Sequence, residues 1–183
     1  MNNQGARTRE EAGWMTGMFR DRESTENAYR SLRDRGYTDD EINVLMSEDT
    51  RNKYWGPDAE PDTTGVGTKA LEGSGVGAMV GGTLGAIIGG IAAIGTNLVL
   101  PGVGLVVAGP IAAALAGAGA GGLTGTLAGA LIGWGIPEER ANLYETSIRE
   151  GGTVLGVRPR TPADADYFEN EWRDRYRGEH VYR

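Results

Sequence analysis

A stretch of 65 residues, from Gly73 to Pro137, contains no Asp, Glu, Lys, Arg or His, although charged residues are frequent on both sides of it. A run of this length is unlike ordinary protein surface, so it limits what the chain can fold into more than any other feature. Within it, glycine recurs at every fourth position in two separate rows. Because residues four apart lie on one face of an α-helix, each row predicts a helix that another backbone can approach closely.

The prediction is a glycine-zipper helical hairpin over residues 73–136, whose two helices are joined by the apolar turn Asn97–Pro110. The residues expected to make the helix-packing contacts of self-association are Gly77, Gly81, Gly85, Gly89, Gly117, Gly121, Gly125, Gly129 and Gly133. Each helix holds seven interior glycines, which together cost on the order of 7–14 kcal/mol relative to alanine. This cost rivals the stability of a whole domain, so the helices need either lipid or close packing against other helices.

Charge and composition exclude several classes of protein. The net charge of −7 and the sequence pI near 4.8 argue against a nucleic-acid-binding surface, which needs a basic patch. Residues 1–72 carry 10 basic and 15 acidic side chains, and residues 138–183 carry 8 and 10, so neither flank is a polybasic lipid-binding arm. The absence of cysteine excludes disulfides and thiol nucleophiles. The polar N-terminus does not resemble a secretory signal peptide, and we expect the protein on the cytoplasmic side.

The two flanks predict a small α+β domain. A strand at 14–19, a helix from Arg22 to Arg35 and a strand at 41–46 form a βαβ unit whose strands are expected to be parallel neighbours. After the hairpin, a helix beginning near Pro137 and a strand at 153–157 complete the pattern. The predicted fold is a ferredoxin-like βαβ…αβ two-layer sandwich, with both helices on one face, interrupted by the Gly/Ala-rich helical hairpin.

The domain boundaries follow from these elements. The predicted parts are a disordered lead-in (1–12), the first half of the α/β domain (13–50), a linker (51–72), the hairpin (73–136), the second half of the domain (137–158) and a charged aromatic tail (159–183). Lys53–Trp55 could form a short strand within the linker, and a short amphipathic helix around 163–176 is an alternative to an irregular tail.

Candidate chemistry is sparse, and the sequence predicts no enzyme, cofactor, metal ion or small-molecule substrate. The glycine motifs at 65–77 do not follow a strand and are not followed by the acidic residue of a dinucleotide fold. The acidic triplet Asp39–Glu41 is expected to be a solvated turn, and the acidic pair Glu138–Glu139 is expected to lie at a helix N-terminus. His180 has no metal-ligand partner at helical spacing, and we expect a mobile terminal residue.

Two blocks of residues, one on each side of the Gly/Ala-rich run, carry a family resemblance. The first consists of Gly17–Arg22, Ala28, Leu32, Gly36–Tyr37 and Ile42, and the second of Gly135–Glu139, Tyr144, Gly151–Gly152 and Val154–Val157. In this order they resemble the bacterial heat-induced general stress protein family over roughly residues 14–158. The resemblance implies a small α/β domain linked to stress responses, with no catalytic residues to transfer. The chain departs from the family after Arg158.

Two functional hypotheses follow. The first is a non-enzymatic stress-response protein that associates with a lipid bilayer and forms a homo-oligomer through the hairpin. A re-entrant hairpin fits this better than a double crossing, because the turn 97–110 contains no charge to reach the far side. The alternative is a soluble structural homo-oligomer with the hairpins buried between subunits.

Overall fold

Six strands form a single antiparallel sheet in the computed structural model, which describes residues 13–55, 98–100, 104–112, 127–133 and 135–183. Across the sheet the strands follow the order β3-β4-β2-β5-β1-β6. They are β1 (Met15–Phe19), β2 (Ile42–Ser47), β3 (Leu98–Leu100), β4 (Leu105–Ala108), β5 (Thr153–Val157) and β6 (Glu179–Tyr182). The described helices are α1 (Arg22–Asp34), α2 (Glu48–Trp55), α3 (Leu127–Gly133), α4 (Glu138–Arg149) and α5 (Pro162–Asn170), which continues into a π-helical turn (Glu171–Arg175).

Local signals near the N-terminus are confirmed. The strand predicted at 14–19 is β1, and all five of its residues are buried. Asp21 begins α1 as predicted, because its carboxylate accepts a hydrogen bond of 2.7 Å from the backbone N–H of Ser24. Gly36 ends the helix with φ at +79°, a conformation that favours glycine. The carboxylate of Asp21 therefore sets the start of the helix, and the left-handed backbone of Gly36 sets its end.

The predicted pairing of the first two strands is wrong. β1 and β2 are not neighbours, because β5 lies between them and pairs antiparallel with both. Leu155 of β5 faces Gly17 of β1 on one side and Val44 of β2 on the other. The last predicted strand thus lies in the centre of the sheet. Because β5 is antiparallel to both of its neighbours, β1 and β2 are parallel to each other but separated by β5.

The described residues form three layers, and the predicted two-layer arrangement is wrong. Ala28, Tyr29 and Leu32 of α1 pack with one set of strand residues, and Phe168 of α5 and Trp172 of the π-helical turn join the same apolar cluster. The opposite cluster is formed by α3 and α4 with the alternate strand residues. Because successive strand residues point to opposite faces, the helices α1 and α4 lie on opposite sides of the sheet.

The turn proposed for the tip of the helical hairpin is also wrong. Residues 98–100 and 105–108 are β3 and β4, which form a β-hairpin with Val99 opposite Val106, and β4 pairs with β2. All four residues of β4 are buried. The uncharged composition of β4 therefore reflects a strand that is covered on both faces of the sheet. Nearby, Lys53–Trp55 belong to the helix α2 and not to a strand, so the first five residues of the expected linker, 51–55, are helical.

Residues 159–183 are an integral part of the domain and not an irregular tail. The helical option around 163–176 is close to the structure, where α5 and the π-helical turn cover 162–175. Trp172 is fully buried, and a Cβ on Gly17 would lie only 2.8 Å from its indole ring. The chain then adds β6 to the edge of β1. His180 lies in this strand with φ at +48°, which corrects the expectation of a mobile terminal residue.

Candidate functional site

The two Gly/Ala-rich stretches meet the domain at four points, which we call the anchor points. The stretches are residues 56–97 and 113–126, which lie outside the described residues, and the anchor points are Trp55, β3, Ile111 and Ala128. These points form the candidate functional site, because seven of the nine glycines predicted to mediate self-association lie in the stretches between them. The sections of chain at each point are fixed by specific contacts.

At the first anchor point, Trp55 is tied to α1 by a buried carboxylate. The Trp55 indole N–H donates to Glu26 Oε1 at 3.1 Å, and Arg22 Nε donates to the same oxygen at 2.7 Å. Glu26 is only 8% exposed. A buried carboxylate needs hydrogen-bond donors of this kind. The two hydrogen bonds to Glu26 therefore hold the C-terminal end of α2 against α1.

The second anchor point is the β-hairpin itself. β3 pairs with β4, and the ladder between β4 and β2 extends from Val44 opposite Ala108 to Ser47 opposite Leu105. The backbone N–H of Glu48 also donates to the Gly104 carbonyl at 2.7 Å, which joins the start of α2 to the hairpin turn. The chain therefore returns from 56–97 directly into the sheet.

The third anchor point depends on a close backbone approach and a buried amide. Gly109 has φ at +93°, and a Cβ there would lie 2.1 Å from the Ile42 carbonyl oxygen, so only glycine can occupy the position. The backbone N–H of Ile111 then donates to Asn43 Oδ1 at 2.8 Å, and Asn43 Nδ2 donates to the Gly156 carbonyl at 3.3 Å. Asn43 is fully buried, and both ends of its amide are used.

The fourth anchor point joins α3 to α4 through Glu145. Its Oε2 accepts from the backbone N–H of Ala128 at 3.0 Å, while its Oε1 accepts from Arg149 Nη2 at 2.7 Å and Nε at 3.2 Å. The Arg149 hydrogen bonds lower the pKa of Glu145 most strongly. Burial opposes this effect and the Ala128 N–H adds to it, so the net pKa lies below the ordinary value. The carboxylate thus joins the backbone of the first described turn of α3 to Arg149 of α4.

Only two of the predicted self-association residues lie in the described part of the chain. Gly129 is buried in α3 and Gly133 is exposed near its end. Both belong to a helix, as the second row predicts, and this helix packs on α4. The other seven lie outside the described residues: Gly77, Gly81, Gly85, Gly89, Gly117, Gly121 and Gly125. Among the described residues, the large apolar side chains that remain exposed are Ile132 and Leu143, at 39% and 40%, one on α3 and one on α4.

A second polar cluster, the C-terminal clasp, holds α5 to the rest of the domain. The Asp164 carboxylate accepts from Arg35 Nη1 at 2.6 Å and from the Tyr37 hydroxyl at 3.1 Å. The backbone N–H of Arg160 donates to that hydroxyl at 2.7 Å, and the Arg160 guanidinium binds both oxygens of Glu41. Burial raises the pKa of Tyr37 to about 12. Sequence reasoning missed this cluster, because its two halves, 35–41 and 160–164, are more than 100 positions apart and each member looks like an ordinary surface residue.

A cavity of about 30 Å³ beside the fourth anchor point is lined by Ser47, Gly104, Leu105, Leu127, Ile148 and Arg149. A cavity of this volume has room for a few water molecules at most. Within the described ranges, no group of three or more His, Asp or Glu side chains is arranged to hold a metal ion. Asp39 and Glu41, two of the acidic residues singled out in the sequence, instead bind Tyr29 and Arg160 respectively.

Comparison of the chain with protein-family models, with curated proteins and with solved structures finds no match in any of the three. Among the helices that the structure describes, none combines the length and the apolar character needed to cross a membrane.

Proposed function

We propose that this chain is a non-enzymatic stress-response protein whose α/β domain is a frame for two Gly/Ala-rich segments, through which it self-associates and binds a membrane. The observation that carries the proposal is the set of anchor points. Three of them use buried or half-buried polar side chains, Glu26, Asn43 and Glu145, whose hydrogen bonds hold the ends of those segments. These buried hydrogen bonds fix the places where the segments leave the domain. A domain with such fixed exit points is suited to presenting the segments to a partner.

The lengths between anchor points restrict how such a membrane contact can be made. A helix needs about 20 residues to cross the hydrocarbon core, so crossing and returning needs about 40. The uncharged part of the first segment, residues 73–97, has 25 residues, and the second segment, residues 113–126, has 14. Both ends of each segment belong to the same domain. Helices in these segments could therefore enter one leaflet but could not cross the bilayer and come back.

The alternative function is a soluble structural homo-oligomer in which the segments are buried between subunits. One observation favours it. The end of the second glycine row is α3, and Leu127, Ala128 and Leu131 pack into the apolar cluster under α4. This part of the uncharged run is covered by other elements of the domain, so similar cover could come from neighbouring copies.

The proposed role also keeps the resemblance to the bacterial heat-induced general stress protein family. The order β2-β5-β1-β6 is compatible with a ferredoxin-like unit in which β5 lies between the parallel strands β1 and β2. In this interpretation the β3–β4 hairpin and α3, which belong to the uncharged part of the chain, and α4, which follows it, are additions to that unit.

The test separates membrane binding from assembly. The purified chain is sized with and without detergent and floated with anionic and neutral vesicles. Membrane association predicts flotation, and the alternative predicts a large, detergent-independent particle without flotation. A monomer that does not float contradicts both.

A paired substitution then tests the glycine rows directly. Gly85→Leu with Gly121→Leu places bulk on the two predicted contact faces and should abolish association. Gly75→Leu with Gly119→Leu is the matched control, because these glycines lie two positions from the rows and so on the other side of a helix. Equal association of both double variants contradicts the proposed role of the glycines.

A further inference from the structure

We infer that the outer edge of β6 is closed by side chains of the domain itself, so that a β-strand of a second copy cannot extend the sheet there. β6 is an end strand, with β1 on one side and no described strand on the other. An open end strand presents unpaired backbone N–H and C=O groups and invites a strand from another chain. Closure of this edge is independent of the proposed function, because it concerns the sheet and not the Gly/Ala-rich segments.

Side chains from both faces of the sheet occupy backbone carbonyls of β6. From the face that carries α4, the Tyr144 hydroxyl donates to the His180 carbonyl at 2.9 Å. From the face that carries α1 and α5, Arg173 Nη2 of the π-helical turn donates to the Val181 carbonyl at 3.2 Å. A strand added to β6 would need backbone carbonyls as acceptors. These side-chain donors therefore take the place that the N–H groups of another strand would have.

The two arginines at this edge are held in position by further contacts. Arg173 makes an ion pair of 3.0 Å with Glu169, four residues earlier in the chain. Arg140 of α4 lies over the ring of Tyr182, with its guanidinium carbon 4.2 Å from the ring centroid. Its Nη1 donates to the carbonyl oxygen of Arg183, directly after β6, at 3.3 Å. Both guanidinium groups thus stay beside the backbone of β6, where they are bulky and charged.

The backbone of β6 is itself irregular. Thr16 of β1 lies opposite Tyr182 of β6. Two residues further along β1, Met18 lies opposite Glu179, which is three residues back along β6. β6 therefore has one extra residue at this point, which is a β-bulge, and within it His180 has φ at +48°. A bulge interrupts the regular spacing of donors and acceptors that a further strand would need.

The test opens the edge with two substitutions in the full chain. Arg173→Ala removes the donor at the Val181 carbonyl, and His180→Val opposes the bulge, because a β-branched residue rarely adopts a positive φ. The matched control is Arg175→Ala with His180→Gly. Arg175 lies in the same π-helical turn and makes an ion pair with Glu171, also four residues earlier. Glycine accepts the left-handed conformation, so the control keeps the bulge.

The measurement is backbone hydrogen exchange of peptides that cover 179–182, at low and at high protein concentration. In the unsubstituted chain and in the control, exchange should not depend on concentration. In the variant with the opened edge, a strand of a second copy can pair with β6 and cover its amides. We expect protection of these amides at high concentration to exceed that at low concentration by about tenfold, the effect of roughly one hydrogen bond.

Three results would overturn the inference. Concentration-dependent protection in the unsubstituted chain would mean that the edge already pairs with a second copy. Exchange that stays independent of concentration in the opened variant would mean that Arg173 and the bulge do not close the edge. An equal gain in the control would assign the effect to the lost positive charge and not to the donor.

A single substitution decides the matter if urea unfolding shows that the opened variant does not fold. The Arg173 side chain is 53% exposed, so Arg173→Ala leaves the core intact, and concentration-dependent protection of 179–182 in this variant supports the closed edge while its absence overturns it. Association through the Gly/Ala-rich segments changes the size of the particle but leaves the exchange of β6 independent of concentration. Failure of the proposed function is therefore distinguishable from failure of this inference.

Discussion

At the scale of single residues, the buried hydroxyl of Tyr144 joins three parts of the chain. It lies 2.9 Å from the His180 carbonyl of β6 and 2.6 Å from the Thr16 hydroxyl of β1. Because a carbonyl can only accept, the Tyr144 hydroxyl donates to His180 and accepts from Thr16. Burial raises the pKa of Tyr144, so the hydroxyl stays protonated and the arrangement persists. We expect Tyr144→Phe to lower the free energy of unfolding by roughly 1–3 kcal/mol, because it leaves two buried polar groups without this partner.

The measurement is urea unfolding at pH 7, with Tyr54→Phe as the control. Tyr54 is a half-buried tyrosine of α2 whose ring rests against Trp55. We expect its substitution to change the free energy of unfolding by no more than about 0.5 kcal/mol. A Tyr144→Phe variant as stable as this control would mean that the hydroxyl does not connect α4 to β6.

At the scale of elements, the C-terminal clasp makes the attachment of α5 sensitive to acid. Burial alone would raise the pKa of Asp164, but the hydrogen bonds from Arg35, Thr161 and Tyr37 outweigh it and leave the pKa lowered. A carboxylate with a lowered folded-state pKa stabilises the fold above its unfolded-state pKa, and this contribution is lost as the pH falls. We expect Asp164→Asn to cost roughly 1.5–3 kcal/mol at pH 7 and less at pH 3, which lies below the unfolded-state pKa. Urea unfolding at the two pH values measures the difference.

Asp40→Asn is the control for this prediction, because Asp40 is an exposed carboxylate in the 3₁₀ turn Asp39–Glu41. Its substitution should have a small effect at both pH values. A loss of stability in Asp164→Asn that is the same at pH 3 and pH 7 would show that the clasp acts through packing and not through the charge of Asp164.

At the scale of the whole molecule, the sequence predicts those parts of the fold that are determined by residues close together along the chain. The Asp21 cap and the glycine at position 36 are local signals, and both have the predicted role. The strands β3 and β4 were missed because an apolar run with glycines at its ends is compatible with either a helix or a buried strand. β6 was missed because it is a partly exposed edge strand in which only Val181 is buried, so its residues look like those of a solvated tail.

The same limit applies to the candidate site. The row of glycines ending at Gly129 and Gly133 indicated the helical α3 in advance. In contrast, the anchors Glu26, Asn43 and Glu145 are single polar residues. Their partners at the anchor points, which are Trp55, Ile111 and Ala128, lie 17 to 68 positions away. Their role depends on which chain segments the sheet brings together, and no pattern within a short window indicates it.

The chain as a whole also restricts how it can lie on a membrane, and the absence of cysteine makes this easy to test. Because both ends of 56–97 and of 113–126 belong to one domain, a bound chain should expose neither segment on the far side of a bilayer.

Thr83→Cys and Thr124→Cys each place a single thiol within an uncharged part of these segments. With the protein added outside vesicles, a membrane-impermeant maleimide trapped inside should label neither variant, and detergent should make both reactive. Ser24→Cys, on α1 in the domain, should never be labelled from the inside either. Labelling of Thr83→Cys from the inside before detergent would mean that the first segment crosses the bilayer, contrary to the limit set by its 25 uncharged residues.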